Sequence, residues 1–210
     1  MHAIGDSRCS VDAVIFDLFG VIISFDDEIV SQRIAQHCTD PSNAFVALTD
    51  IVSQSDLIRG RITLDQMHRK LVATYGLTLD LRDFEAAWLT PYTAPMPGMA
   101  DFIRTLAASY RLILLSNVDE HYWKVVRKAH PELNYFSAHL LSWDLKIAKP
   151  DREIFLRAVD AARTSASRCL FVDDKEENVE AARDIGLLAH RFRGATDLRE
   201  VFEREGIRCA

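Results

Sequence analysis

The sequence predicts an α/β fold in which helices cover both faces of a parallel β-sheet. Three observations indicate this fold. Residues 11–17 form an apolar run that is typical of a strand buried on both faces. Residues 25–89 then carry helix-like patterns with no good strand among them. After Gly98, short apolar strands alternate with amphipathic helices, which is the order expected of a parallel sheet.

The predicted strands are short, apolar and separated by helical patterns. We expect a helix over residues 119–129, a helix capped by Asp151, and a further helix closed by Gly186. The five predicted strands cover residues 11–17, 111–115, 138–141, 169–172 and 187–192.

Residues 25–96 form a helical insert between the first and second predicted strands. Apolar residues at helical spacing predict helices over 26–38, 64–75 and about 81–88. Thr63 and Gln66 have the spacing of a capping box, Gly76 is placed to end that helix, and Asp80 is a candidate N-cap. We therefore divide the chain into a Rossmann-like core, residues 1–24 and 97–210, and a helical domain, residues 25–96.

Composition and charge narrow the class of protein. Of the 210 residues, 49% are hydrophobic and 27% are charged, which is ordinary for a globular protein. The net charge of -6 argues against a nucleic-acid partner. No apolar run approaches 20 residues and the first ten residues lack a signal-peptide core, so we expect no membrane span. The four cysteines lack CxxC spacing, which favours free thiols in the cytoplasm. We expect a monomer or a weak homodimer.

Polar side chains collect where the predicted strands end. In an open parallel sheet, ligands bind beyond the carboxyl ends of the strands. A lysine in the loop after the third strand could reach the same edge. We expect the following residues to lie together there: Asp17, Ser116, Asn117, Lys149, Asp173 and Asp174.

These residue types suit phosphoryl transfer. One strand-end carboxylate with an acidic pair, Asp173-Asp174, suits a hard cation such as Mg²⁺. A hydroxyl beside backbone N–H groups can hold an anion, and a lysine can neutralise charge on a carboxylate nucleophile. Each feature also has an ordinary interpretation. Ser116-Asn117 can be a plain strand-to-helix turn, Lys149 a solvated loop residue, and the acidic pair favourable charge at a helix start.

In order along the chain, four motifs resemble those of the haloacid dehalogenase (HAD) superfamily. The motifs are Phe16-Asp17-Leu18-Phe19-Gly20, Leu115-Ser116-Asn117, Lys149-Pro150-Asp151, and Phe171-Val172-Asp173-Asp174 followed by Asn178. The resemblance extends from residue 11 to about residue 192, and the insert lies where subfamily I members carry a cap domain. Trp143-Asp144 and Trp123 fit bacterial members that dephosphorylate α-glucose 1-phosphate.

The resemblance implies catalytic and phosphate-binding roles. Asp17 would be the nucleophile and would form an aspartyl-phosphate. Ser116 and the N–H of Asn117 would hold the phosphoryl oxygens, and Lys149 would neutralise the charge between nucleophile and phosphate. The expected substrate is a small phosphorylated metabolite, with a sugar phosphate favoured.

The resemblance also implies a Mg²⁺ site. Asp17 and Asp174 would be direct ligands, and the main-chain carbonyl of Phe19 would be another. Asp173 would bind the metal through water or support its ligands, and Asn178 would orient the acidic loop.

Phe19 departs from the pattern of most phosphatases in this superfamily. They carry a second aspartate at that position, which protonates the leaving group. Three interpretations stay open: a phosphatase that works without this acid, a 2-haloacid dehalogenase, or a catalytically weak protein that binds a phosphorylated metabolite or a partner. The sugar-phosphate phosphatases it resembles often lack the acid, and dehalogenases typically lack the acidic pair, so the first interpretation is favoured.

Overall fold

A five-stranded parallel sheet forms the centre of the molecule. The computed structural model describes residues 11–54, 56–89 and 94–207. The strands lie in the order β3-β2-β1-β4-β5, with β1 in the middle. Their bounds are Ala13–Phe16 (β1), Arg111–Ser116 (β2), Ala138–Leu141 (β3), Cys169–Asp173 (β4) and Leu188–Arg191 (β5). All five predicted strands are confirmed, and the predicted bounds of β3 match those observed.

The helices fall between and after these strands. Two short 3-10 turns, Pro131–Tyr135 and Ala166–Arg168, complete the regular structure of the described residues. The helices are Asp27–Ala35 (α1), Pro41–Gln54 (α2), Leu64–Tyr75 (α3), Leu81–Leu89 (α4), Met99–Leu106 (α5), Glu120–Ala129 (α6), Ser142–Leu145 (α7), Arg152–Ala162 (α8), Glu176–Arg183 (α9) and Ala195–Arg204 (α10). None of the helices in the described ranges is long and apolar enough to cross a membrane.

The central strand is apolar on both sides because both faces of the sheet are covered. Val14 and Phe16 pack into one apolar cluster, which α5, α6 and α10 complete. Ala13 and Ile15 point the other way, into a cluster completed by α8 and α9. All four side chains are fully buried. This arrangement explains why β1 is a continuous apolar run and not an alternating one.

Helices α1 to α4 lie between β1 and β2 and have an apolar cluster of their own. Ile34, Leu48 and Phe84 are fully buried in it. The expected capping box is present, since the N–H of Gln66 donates to Thr63 and the N–H of Thr63 donates to Gln66. Gly76 ends α3 with a φ of 62°.

Sequence patterns did not predict α2, α7 or α10. Helix α2 begins at Pro41, directly after Asp40, whose carboxylate accepts from the N–H of Asn43 at 3.2 Å. A polar residue followed by proline is a helix-start signal that could have revealed α2. Helix α10 buries Leu198 and Phe202 against the sheet.

The insert contacts the core through the loop between α2 and α3. The Ser142 hydroxyl donates to the carbonyl of Ile58 at 2.5 Å, and the Lys146 ammonium donates to the carbonyl of Gly60 at 2.8 Å. Gly60 has a φ of +60°, and a Cβ there would collide with the carbonyl oxygen of Trp143. Only glycine therefore allows this close approach of the two backbones.

We predict that Gly60→Ala destabilises the protein more than Gly206→Ala does. Gly206 has a similar φ of +71° but open space around it, so the only cost of alanine there is the strain of the left-handed backbone conformation. Alanine at Gly60 adds a collision with backbone, worth roughly 1–3 kcal/mol more. Denaturant unfolding of both variants measures the difference, and equal losses would contradict the close approach.

Candidate active site

Asp17 is held at the carboxyl end of the central strand. Its N–H donates to the carbonyl of Val172 on β4 at 2.9 Å. Its carboxylate oxygen Oδ1 accepts from the N–H of Leu18 at 2.7 Å and lies 2.7 Å from the Lys149 Nζ. Because both contacts are made to one oxygen, the carboxylate is held in a single orientation. Asp17 is only 6% exposed, so these contacts replace much of its water.

Lys149 bridges two buried carboxylates. Its Nζ lies 2.7 Å from Asp17 Oδ1 and 2.6 Å from Asp173 Oδ2. The Asn117 side chain fixes the backbone of Lys149 in both directions, since its amide donates to the Lys149 carbonyl and its oxygen accepts from the Lys149 N–H, each at 2.9 Å. The sequence indicated only the backbone N–H of Asn117, and this use of its side chain was missed.

Asp173 is fully buried and takes part in a dense set of hydrogen bonds. Beside Lys149, it accepts from the Asn178 amide at 3.0 and 3.1 Å and from the N–H of Lys175 at 2.9 Å. Asn178 therefore makes the contact with the acidic loop that the sequence motif led us to expect. These bonds orient the Asp173 carboxylate toward the ammonium.

The electrostatics of the cluster follow from its burial. Burial raises the pKa of Asp17 to about 7, opposed by Lys149 and reinforced by the charges of Asp173 and Asp174. Burial alone would lower the pKa of Lys149, but the two carboxylates outweigh it and the pKa is raised. Burial, followed by the Asp173 charge, raises the pKa of Asp174. Three carboxylates thus face two lysines, Lys149 and Lys175, which leaves an excess of negative charge.

A divalent cation would offset the excess negative charge of the carboxylates. Oxygens of Asp17, Asp173 and Asp174 all lie within 4.8 Å of one another. Asp174 Oδ1 is buried and has no hydrogen-bond partner among the described residues. Gly20, at a φ of +78°, makes room for Asp174, because a Cβ there would lie 2.5 Å from Asp174 Oδ2. Oxygen ligands of this kind suit Mg²⁺.

The turn after β1 contains Phe19. The backbone of this turn is held by three hydrogen bonds: the Gly20 N–H donates to the Ile23 carbonyl, and the N–H groups of Ile22 and Ile23 donate to the Leu18 carbonyl. None of these three bonds uses the Phe19 carbonyl. The Phe19 ring packs against Phe25, with centroids 4.8 Å apart.

Ser116 ends β2 beside the cluster. It is fully buried, and its hydroxyl has no hydrogen-bond partner in the part of the chain that the structure describes. An unpaired buried hydroxyl is costly unless a ligand completes it. This position suits the phosphoryl contact expected from the sequence.

A cavity of about 350 Å³ is lined by Asp17, Asn117, Lys149 and Asp174 but not by the fully buried Ser116 and Asp173, and the insert contributes to its wall. Arg59, which sequence patterns did not indicate, lines the cavity and forms an ion pair with Asp151 at 2.5 Å. The prediction that the Asp151 side chain caps α8 was wrong: Asp151 lies at the N-cap position, but its carboxylate accepts from Arg59 and from the Ala148 N–H. No local pattern could reveal a pairing across 92 residues.

His37, Trp88 and Tyr92 of the insert could face the site, but sequence patterns did not single out any of them as a site residue. Trp88 is buried in the insert cluster, and its indole N–H donates to Asp119 of the core at 3.1 Å. Tyr92 lies outside the described residues.

Comparison with known proteins identifies the family. Residues 11–186 match the model of haloacid dehalogenase-like hydrolases. The chain belongs to this family of hydrolases. The match spans all four motifs and the helical insert, so the resemblance stated from the sequence is confirmed.

Individual relatives are distant but match along most of their length. A D-ribitol-5-phosphate phosphatase from Bacteroides thetaiotaomicron is 25% identical over 89% of this chain and 94% of its own. A sesquiterpene phosphatase from Aspergillus oryzae is 25% identical over 84% of this chain and 87% of its own.

Solved structures share the fold. A HAD family enzyme from B. thetaiotaomicron, in complex with magnesium and inorganic phosphate, has a TM-score of 0.79 at 24% identity and covers 92% of this chain and 100% of its own. The L-2-haloacid dehalogenase from Xanthobacter autotrophicus has a TM-score of 0.62 at 19% identity, covering 95% of this chain and 84% of its own.

We predict different stability effects for two substitutions of similar size in this cluster. In metal-free buffer, Asp17→Asn removes one of the competing carboxylates and should leave the free energy of unfolding unchanged or raise it. Lys149→Met removes the ammonium and should lower it by roughly 3–5 kcal/mol, because Asp17 and Asp173 stay buried without a cation. Denaturant unfolding with a chelator present measures both, and a stable Lys149→Met protein would contradict the account.

Proposed function

We propose that the protein is a Mg²⁺-dependent phosphatase that hydrolyses a small phosphate monoester through a phosphorylated Asp17. The observation that carries the proposal is the buried Asp17–Lys149–Asp173 cluster beside the unpaired Asp174 oxygen. The two phosphatase relatives and the fold neighbour with magnesium and phosphate support it.

The residues act on the phosphoryl group as follows. A carboxylate oxygen of Asp17 attacks phosphorus, and the bond from phosphorus to the ester oxygen breaks, so that an acyl phosphate remains and the leaving oxygen takes a proton from solvent to become the alcohol. Water then attacks phosphorus and the bond from phosphorus to the Asp17 oxygen breaks. The carboxylate is restored, one proton of the water stays on the released phosphate, and the other returns to solvent. The Ser116 hydroxyl and the Asn117 N–H bind phosphoryl oxygens, and Lys149 balances their charge.

Asp17, Asp174 and the Phe19 carbonyl would hold Mg²⁺, with Asp173 acting through water or as a support for these ligands. When bound, the metal supplies positive charge against the phosphoryl oxygens. Asn178 keeps Asp173 in place.

The insert, residues 25–96, is proposed to act as a cap domain over the core of residues 1–24 and 97–210. Its separate apolar cluster and its contribution of Arg59 to the cavity support this role. A cap excludes water from the reacting groups. We also propose that the protein is a monomer or a weak homodimer. We propose that it is cytoplasmic, because the free thiols of Cys38 and Cys169 suit a reducing compartment.

The substrate is a small phosphorylated metabolite. The resemblance favours a sugar phosphate, and the ribitol-5-phosphate phosphatase relative supports a polyol phosphate. The sesquiterpene phosphatase relative, at the same identity, supports an apolar ester.

A dehalogenase is the second candidate, because an aromatic residue stands at Phe19. Such an enzyme releases halide from a 2-haloalkanoate and needs no metal. The Asp174 oxygen left without a partner favours the phosphatase over this alternative.

We predict Mg²⁺-dependent hydrolysis of p-nitrophenyl phosphate. Asp17→Asn should lower kcat by roughly 10³-fold or more, since it removes the nucleophile while keeping the shape of the side chain. The measurement is phosphate release with Mg²⁺ and with a chelator, and Val46→Ser on the exposed face of α2 is the control. Activity that survives complete chelation would refute the proposal.

We predict that turnover depends strongly on the leaving group, because Phe19 cannot supply a proton. Across aryl phosphates, log kcat should fall steeply as the pKa of the leaving phenol rises. Phe19→Asp should flatten this dependence by adding an acid at that position. Parallel slopes for the two proteins would show that protonation at this position does not limit the reaction.

A further inference from the structure

Part of the cavity lining is apolar. Asp17, Asp174 and Lys149 line the cavity together with three apolar residues, Phe19, Phe25 and Ile58. The same three residues continue into an adjoining pocket of about 50 Å³, where they are joined by Val30, Trp88 and Tyr122. Phe19 lines both the adjoining pocket and the cavity that contains Asp17, so the apolar pocket is continuous with the catalytic cavity.

The polar groups of this pocket are already in use. The Trp88 indole N–H donates to Asp119 at 3.1 Å, and the other oxygen of Asp119 accepts from the N–H groups of His121 and Tyr122. The side chain of Asn117 is bound to the backbone of Lys149. Among the described residues that line this pocket, only Tyr122 has a buried polar side-chain group, its hydroxyl, that lacks a hydrogen-bond partner.

The aromatic rings that line the pocket pack against one another, which fixes the shape of the pocket. The rings of Phe19 and Phe25 lie 4.8 Å apart, and both contact Tyr122, at 5.6 and 5.9 Å between centroids. The burial of Trp88 and its bond to Asp119 tie the insert to the core at the same place.

We propose that this pocket binds the leaving group, and that the preferred substrate is a phosphate monoester of an apolar alcohol, alkyl or aromatic, and not of a polyol. The proposal rests on the phosphatase function and names its substrate class. An apolar chain gains free energy by leaving water for these side chains. A polyol would lose the water on its hydroxyls and find at most one free partner.

The test compares primary-alcohol monophosphates from ethyl to hexyl with ribitol 5-phosphate, in the presence of Mg²⁺. We expect kcat/KM to rise about fourfold for each of the first two or three added methylenes, the factor for burying one such group. Ribitol 5-phosphate should lie at least roughly tenfold below the best alkyl ester.

Two variants localise the effect. Phe25→Ser and Ile58→Asn should flatten the rise of kcat/KM with chain length, because each variant replaces apolar surface of the pocket with a polar group. Val46→Ser, on an exposed surface of the insert, is the matched control and should keep the wild-type slope. The substrate series on the unmodified protein decides the question even if a variant fails to fold.

The outcomes separate this inference from the phosphatase itself. A flat alkyl series, or ribitol 5-phosphate as the better substrate, would overturn the apolar pocket and leave the phosphatase intact. Failure to hydrolyse any ester of the panel while p-nitrophenyl phosphate is hydrolysed would overturn the inference alone, and failure on p-nitrophenyl phosphate as well would overturn both.

Discussion

A buried carboxylate at the end of the central strand is the constraint on which the rest of this structure depends. Asp17 can stay there only with a cation beside it, because an isolated buried charge is too costly. Lys149 supplies that charge at 2.7 Å. The two strands beside β1 then supply the rest. Strand β4 brings Asp173 to the other side of the ammonium, and β2 leads into Asn117, which fixes the backbone of Lys149.

This balance of charge also explains why the site is suited to a metal and an anion. One ammonium between two carboxylates, with a third carboxylate nearby, leaves negative charge for a divalent cation to offset. The unpaired atoms, the Asp174 carboxylate oxygen and the Ser116 hydroxyl, are the groups that a cation and a phosphoryl oxygen would complete. These two unpaired polar atoms therefore lie where the metal ion and the phosphoryl group are proposed to bind.

Much of this could be predicted from the sequence because parallel sheets follow simple rules. Buried strands are apolar runs, and their carboxyl ends meet at one edge, so Asp17, Ser116 and the Asp173-Asp174 pair can be grouped from the sequence alone. Contacts between distant segments could not be predicted in this way. The pairing of Arg59 with Asp151 and the clamp of Asn117 on Lys149 are set by how loops meet in three dimensions.

Two of the three helices that escaped prediction, α2 and α10, did so for a different reason. Helix α2 mixes Ser, Asn and Thr with its apolar residues, and its start signal at Asp40-Pro41 outweighs their weak helix propensity. Helix α10 is held by burying Leu198 and Phe202 against the sheet, so tertiary packing decides its conformation.

The most direct test of the account is the identification of the covalent intermediate. The protein would be mixed with a phosphate monoester and Mg²⁺, quenched in acid during turnover, digested, and mapped by peptide mass spectrometry. The account predicts a phosphoryl group on the peptide that contains Asp17, located on that side chain by fragmentation. Turnover with no phosphorylated peptide, or with the phosphoryl group on another residue, would contradict it.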